Sequence, residues 1–292
     1  MEYENGYQQQ IPTSKYECLL FDVDDTLYPL SSGLSGQCTK NIREYMVNNL
    51  GIEESKVPEM CAKLYKDYGT TMAGLRALGY DFDYDEYHSI VHGKLPYENL
   101  KPDPILRTLI HSLPYRKVIF SNANEAHVAE VLHRLGLEDC FEDVICFESL
   151  NPKNQITNSD SPKSSVIGYD DVSERAIVLP ASPIVCKPFE NAFQQAFKMA
   201  NINPHKTLSC PKSSFVKIPL FFDDSIRNIQ TAKLIGLGTV FVGCSQRKKG
   251  VDYALESIHN IREALPELWE SVDKLKDGCY SQEIGIETRV QA

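Results

Sequence analysis

The chain lacks any apolar run approaching the ~20 residues needed to cross a bilayer as a helix, so no spanning helix is expected. It also lacks a basic excess. Thirty Lys and Arg stand against 40 Asp and Glu, a formal net charge of −10. Long-range attraction to nucleic acid polymers or an anionic membrane is therefore not expected. Nine cysteines contain no C-x-x-C pair and no His-spaced zinc pattern. With an odd count and no apolar stretch in the polar start, they are expected to be reduced thiols, mostly core filler, in a cytoplasmic protein. No internal repeat is evident. A hydrophobic fraction of 42% and a charged fraction of 24% are ordinary for a globular chain. At 292 residues it can bury one substantial core and a smaller unit.

Against this plain background stands Phe21-Asp22-Val23-Asp24-Asp25-Thr26, preceded by Cys18-Leu19-Leu20. It reads as a short buried strand ending in three carboxylates and a hydroxyl. Strand side chains alternate faces, so Asp22 and Asp24 can turn toward one pocket just past the strand end. In open α/β sheets that is where ligands bind. Crowded acids call for a hard cation, and carboxylate oxygens suit Mg²⁺. An EF-hand is excluded, since its fifth and sixth loop positions would fall on Thr26 and Leu27 rather than an oxygen-rich acid or amide and Gly. Taken alone, the segment is equally an Asx-type turn with solvated acids.

Three further segments follow in chain order. Lys117-Val118-Ile119-Phe120 is a second apolar strand, ending in Ser121-Asn122-Ala123-Asn124. Ile184-Val185-Cys186-Lys187-Pro188-Phe189 sets a lysine before a proline-initiated helix. Leu220-Phe221-Phe222 ends in Asp223-Asp224-Ser225, with a helix from Ile226. Singly, Ser121 reads as a helix N-cap, Lys187 as a surface lysine and Asp223-Asp224 as a helix start. Capping alone does not explain all four in this order.

The four segments resemble the motifs of the haloacid dehalogenase (HAD) superfamily. Asp25-Thr26-Leu27-Tyr28, Leu95-Pro96-Tyr97-Glu98-Asn99-Leu100-Lys101-Pro102-Asp103, Phe120-Ser121-Asn122-Ala123, Cys186-Lys187-Pro188 and Asp223-Asp224-Ser225-Ile226-Arg227-Asn228 resemble its pyrimidine 5'-nucleotidase-like branch. The likeness covers roughly residues 16–243. It implies an α/β fold, a doubly wound parallel sheet (a Rossmann-like core) with an inserted helical cap. It also implies a Mg²⁺-dependent phosphomonoesterase acting on small phosphate esters, pyrimidine 5'-mononucleotides foremost. Asp22 is then the nucleophile that forms an aspartyl-phosphate, and Asp24 the general acid and base. Ser121 and the backbone at Asn122 hold phosphate oxygens, and Lys187 neutralises charge on nucleophile and phosphate. Mg²⁺ falls to Asp22, the Asp24 carbonyl, Asp224 and Asp223. The alternatives are a phosphatase for another small metabolite and a catalytically impaired binding or regulatory protein. Oligomeric state is not legible.

Residues 16–33 and 102–265 are expected to form the core, 34–101 the helical cap, 1–15 a disordered tail and 266–292 a C-terminal tail. Leu34, Cys38, Ile42, Tyr45 and Met46 mark an amphipathic helix ending near Gly51, and three more helical patterns follow it. Aromatics of the cap, Tyr65, Tyr68, Tyr80, Phe82, Tyr84 and Tyr87, are expected mainly as packing, with base stacking as the alternative. From Pro102, helices alternate with short strands, including 144–147 and 239–242, which argues a parallel sheet. Two stretches depart from the family pattern: 151–182, expected to be a mobile surface loop, and 209–220, an insertion carrying Pro211 and Pro219.

Overall fold

The computed structural model describes residues 15–153, 166–170, 175–179, 182–202, 217–246 and 248–270. Six strands form one parallel sheet: β1 (Tyr16–Phe21), β2 (Arg116–Phe120), β3 (Asp143–Ile145), β6 (Ile218–Asp223), β7 (Gly238–Val242) and β8 (Tyr253–Leu255). Their order across the sheet is β3-β2-β1-β6-β7-β8. The order reverses at β1, so the chain winds outward both ways from the two central strands. Crevices at the carboxyl ends of such strands are where ligands sit in open sheets.

Both faces of the sheet are covered, which is why its strands are continuously apolar rather than alternating. Leu19 and Phe21 point into one layer, with Leu106 and Ile110 of α5 (Pro104–Ser112) and Val128, Val131 and Leu135 of α6 (Glu125–Leu135). Cys18, Leu20 and Phe221 point into the other. There they meet Phe193 and Phe197 of α8 (Glu190–Met199) and Ile229 of α9 (Ile226–Leu234). Phe21 and Phe222 stack across the two central strands with ring centroids 4.4 Å apart.

Between β1 and α5 run four helices: α1 (Leu34–Asn48), α2 (Val57–Tyr68), α3 (Thr71–Ala77) and α4 (Tyr84–His92). They bury a cluster of their own around Tyr45, Met46, Leu64, Leu75 and Tyr87. Phe147, Ile184, Cys186 and Phe189 join that cluster from the sheet side. Tyr45, Phe82, Tyr84 and Tyr87 pack ring on ring, so most of the aromatics in this segment are occupied in helix packing.

Several sequence expectations shift. Val166–Asp170 (β4) and Arg175–Leu179 (β5) pair antiparallel within the stretch expected to be a loop. The rest of 154–181, like the expected tail over residues 1–14, lies outside the described residues. The strand expected over 144–147 is Asp143–Ile145, and Phe147 opens the short helix α7 (Phe147–Leu150). The helix after Lys187 starts at Glu190, later than Pro188 suggests. The segment expected to be a C-terminal tail begins inside the core, because Leu268 and Trp269 are apolar enough to bury against it.

Residues 218–220, placed by sequence in the insertion, form the first half of β6. Pro219 is accommodated by an irregular register. Tyr16 faces Ile218 but Leu19 faces Leu220, giving β1 one extra residue opposite the proline. Pairing of β6 with β7 begins only at Leu220. The ladder thus slips where Pro cannot donate, and is regular again over Leu19–Phe21, directly before the acids.

Candidate active site

Asp22 follows β1 directly, and its N–H donates to the Phe222 carbonyl at 2.9 Å, tying the acid loop to β6. Asp25 then takes a left-handed backbone, φ 54°. A short polar side chain tolerates this. Leu27 N–H closes the turn onto the Val23 carbonyl. Asp223 is the last residue of β6, and Ser121 follows β2. Lys187 reaches the same place from outside the sheet. Asn122 pins it, accepting from the Lys187 N–H at 2.8 Å and donating to the Lys187 carbonyl at 3.0 Å. Gly69, between α2 and α3, backs the same carbonyl. A Cβ there would lie 2.5 Å from it.

The Lys187 ammonium is buried and uses all three of its donors. It meets Asp22 Oδ1, Asp223 Oδ2 and the Phe120 carbonyl, each at 2.8 Å. Burial pushes its pKa down, but the two carboxylates outweigh that and leave it raised. Asp223, fully buried, is saturated: Asn228 Nδ2 bridges both oxygens at 3.0 Å and the Ser225 N–H reaches Oδ1 at 2.7 Å. It therefore organises the lysine and the start of α9. Lys187, expected on the substrate phosphate, has no donor left over in this arrangement.

Asp22 and Asp224 carry the opposite burden. Burial raises the pKa of both, and neighbouring carboxylates raise them further, while Lys187 only partly offsets this. Asp22, Asp223 and Asp224 hold carboxylate oxygens within 4.8 Å of one another. Asp22 and Asp224 are the hard oxygen donors left beside the saturated Asp223, a pairing that suits Mg²⁺, and the repulsion between them is what a divalent cation relieves. The residues present fit the ion.

Asp24 belongs to a network that the sequence reading missed. Its Oδ1 accepts from Tyr28 Oη at 2.5 Å and pairs with His127 Nε2 at 2.7 Å. His127 Nδ1 in turn meets Tyr97 Oη at 2.7 Å. Burial raises the Asp24 carboxyl, but the His127 charge and the two hydrogen bonds prevail and hold it below the usual carboxylate range. His127 lies tilted against His92 at 4.7 Å, and His92 stacks on His88 at 5.3 Å. His92 Nδ1 is fixed by Asn124 Oδ1 at 2.6 Å. Tyr28 lies four residues after Asp24 and could have been flagged on that spacing. His127 lies 103 residues away, and no local pattern marks it.

A cavity of about 500 Å³ opens above these groups. Its floor is Asp22, Asp24, Ser121, Asn122, Lys187 and Asp224. Its walls come largely from the four-helix segment, among them Leu34, Ile42, Met72, Val91 and His88. Every sequence-predicted site residue except Asp223 lines it, and Asp223 stands directly behind. Ser121 is buried, with its Oγ accepting from the Ala123 N–H at 3.1 Å. Among the expected stacking aromatics, Tyr65 and Tyr87 touch the cavity.

No protein-family profile matches the chain. It is similar to HAD-type proteins of known structure. A HAD phosphatase from Thermococcus onnurineus is 16% identical, with 85% of this chain and 96% of that one covered and a TM-score of 0.47. For the magnesium-bound YfnB of Bacillus subtilis the values are 16%, 86%, 98% and 0.45. In sequence it is similar to phosphate metabolism protein 8 of Saccharomyces cerevisiae, 23% identical over 237 residues. That match takes in 78% of this chain but only 62% of the yeast protein's length.

Proposed function

We propose that the chain is a HAD-type, Mg²⁺-dependent phosphomonoesterase that works through an aspartyl-phosphate on Asp22, with pyrimidine 5'-mononucleotides as its substrates. The observation that carries this reading is the Lys187 ammonium held between Asp22 and Asp223 at the floor of a cavity that Asp24 and Asp224 also line. The motif resemblance carries the nucleotide choice, and the name of the yeast relative, which speaks of phosphate metabolism, agrees with the phosphatase class.

Asp22 attacks phosphorus through the oxygen not held by Lys187, and the P–O bond to the leaving alcohol breaks. The Asp24–His127 pair gives the departing oxygen its proton. Asp24, returned to a carboxylate by the pull of His127 and Tyr28, then takes a proton from the water that attacks the acyl-phosphate. Ser121 and the backbone around Asn122 hold the nonbridging oxygens. Lys187 favours the ionised form of Asp22 and aims it. Asp22, Asp224 and the Asp24 carbonyl would hold Mg²⁺, with Asp223 behind them. When bound, the ion supplies charge neutralisation for nucleophile and phosphate. Uncatalysed phosphate-monoester hydrolysis needs accelerations of up to ~10²¹-fold, which is why so many charges converge.

We read residues 34–101 as a cap closing over the phosphate end, and the thiols of the described residues, free and mostly buried, as suited to the reducing cytoplasm. The test is free-phosphate release from a panel of nucleoside monophosphates, sugar phosphates and p-nitrophenyl phosphate, with Mg²⁺ and with EDTA. Turnover of the pyrimidine monophosphates first, lost in EDTA and in Asp22→Asn, is the expected result. Release unaffected by Asp22→Asn would refute the mechanism, and a preference for sugar phosphates would refute the nucleotide assignment.

A further inference from the structure

We propose that Tyr97 is a positioning residue for proton transfer to the leaving group: acting through His127, it fixes one carboxylate oxygen of Asp24 and leaves the other turned to the departing alcohol. This rests on the phosphomonoesterase reading above and adds to it the segment that joins the four helices to the core.

Tyr97 opens a short 3-10 turn (Tyr97–Asn99) between α4 and α5. Leu95 and Leu100 on either side are buried in the core, and Asn99 Nδ2 donates to the Ser32 carbonyl at 2.9 Å. The turn is thus anchored without help from the Tyr97 hydroxyl. That hydroxyl meets His127 Nδ1 at 2.7 Å. His127, on α6, is only 3% exposed, so without Tyr97 its Nδ1 would be left buried and unpaired.

The far end of the chain gives the contact its meaning. A carboxylate only accepts, so the His127 Nε2 that faces Asp24 Oδ1 at 2.7 Å carries a proton. In a neutral ring Nδ1 is then bare and accepts from Tyr97 Oη; in a ring protonated on both nitrogens, Nδ1 donates to the same oxygen. A hydroxyl serves both states and keeps the Nε2 proton on Asp24, whereas phenylalanine serves neither. Tyr28 Oη donates to the same Oδ1. Both contacts therefore fall on one oxygen of Asp24. With 36% of that side chain exposed and lining the cavity, Oδ2 is the oxygen left for the substrate.

The test compares Tyr97→Phe with the unaltered full chain on uridine 5'-monophosphate, phenyl phosphate and p-nitrophenyl phosphate in Mg²⁺. The quantity kcat/KM reports the steps up to departure of the leaving group, and p-nitrophenolate, a weak base, needs a proton least. The ratio of kcat/KM for the nucleotide to that for p-nitrophenyl phosphate should fall about tenfold, with phenyl phosphate between. That is a share of the ~10²–10⁴-fold that general acid–base assistance supplies. A merely structural loss would lower all three esters alike, and such a flat ratio overturns the proposal. In a His127→Gln background, where Nδ1 is gone, Tyr97→Phe should shift the ratio no further; a full tenfold change there also overturns it. A second measurement does not need turnover. In protein labelled with ¹⁵N-histidine, His127 is assigned by its absence in His127→Gln. Tyr97→Phe should move the His127 Nε2 signal, although Tyr97 does not touch that nitrogen, and an unmoved signal overturns the tie to Asp24. Turnover with a flat ratio sinks the role of Tyr97 alone. No turnover of any ester, with an Nε2 signal that depends on Tyr97, sinks the phosphatase reading and leaves the Tyr97–His127–Asp24 tie standing.

Discussion

Gly69→Ala should damage the site from a distance, by two effects that can be separated. The residue has φ 82° and ψ −43°, a backbone that side-chain-bearing residues rarely adopt. Strain of this kind costs about 1–3 kcal/mol. The new Cβ would also stand 2.5 Å from the Lys187 carbonyl and 3.0 Å from both Cys186 Sγ and Pro188 Cδ. Backbone and ring atoms cannot swing aside, and overpacking of this sort adds about 1–3 kcal/mol. For a chain of this size each kcal/mol lowers Tm by about 2–4 °C, so a fall of about 5 °C or more is expected. Gly136→Ala is the control. Gly136 also has a positive φ, 69°, but nothing lies within 4 Å of its Cβ position. Its loss should be the backbone share alone. The crowded carbonyl belongs to the residue whose ammonium aims Asp22, and misplacement by about 1 Å can cost 10²-fold in rate. Gly69→Ala should therefore lower kcat well beyond Gly136→Ala, read by thermal melts and phosphate release. Equal effects of the two substitutions on both readouts would refute the close-approach argument.

Lys187→Met leaves Asp22 and Asp223 buried without their shared cation, and removing one partner of such a group costs about 3–5 kcal/mol, measurable by chemical denaturation. Replacing Asp24 by Asn should leave Asp22 able to react but slow turnover by about 10²–10⁴-fold, with phosphorylated protein accumulating in a rapid-quench experiment; unchanged steady-state rates would contradict its role. Asp22 and Asp224 have raised pKa values in the metal-free protein, so the folded state binds more protons than the unfolded chain from about pH 4 upward. Their contribution to stability is present at low pH and is lost as pH rises through the folded values. The gain in Tm on adding Mg²⁺ should accordingly grow with pH over this window, and a gain independent of pH would count against those two ligands.

Legibility followed the range of the interactions. The acids at the ends of β1 and β6 are local to their strands, so a buried run followed by carboxylates was readable, as were the helices between Leu34 and His92. The hairpin β4–β5 was hidden by its Asn- and Ser-rich flanks. Pro219 suggested a break in β6, yet a one-residue slip against β1 absorbs it, and such a slip is a property of the pair of strands, not of either alone. The Asp24–His127–Tyr97 chain joins three separate elements, so its meaning exists only once the sheet brings them together. Lys187 was recognised, but that its donors would all be taken by Asp22, Asp223 and Phe120 could not be read from its neighbours in sequence.

The two hydrogen bonds between the Asn122 side chain and the Lys187 backbone have the form of one rung of a strand ladder, made by an amide group in place of a strand. The lysine is thus indexed to the end of β2 rather than to the chain leading into it. A change at position 122 would therefore move the lysine with no alteration to its own segment.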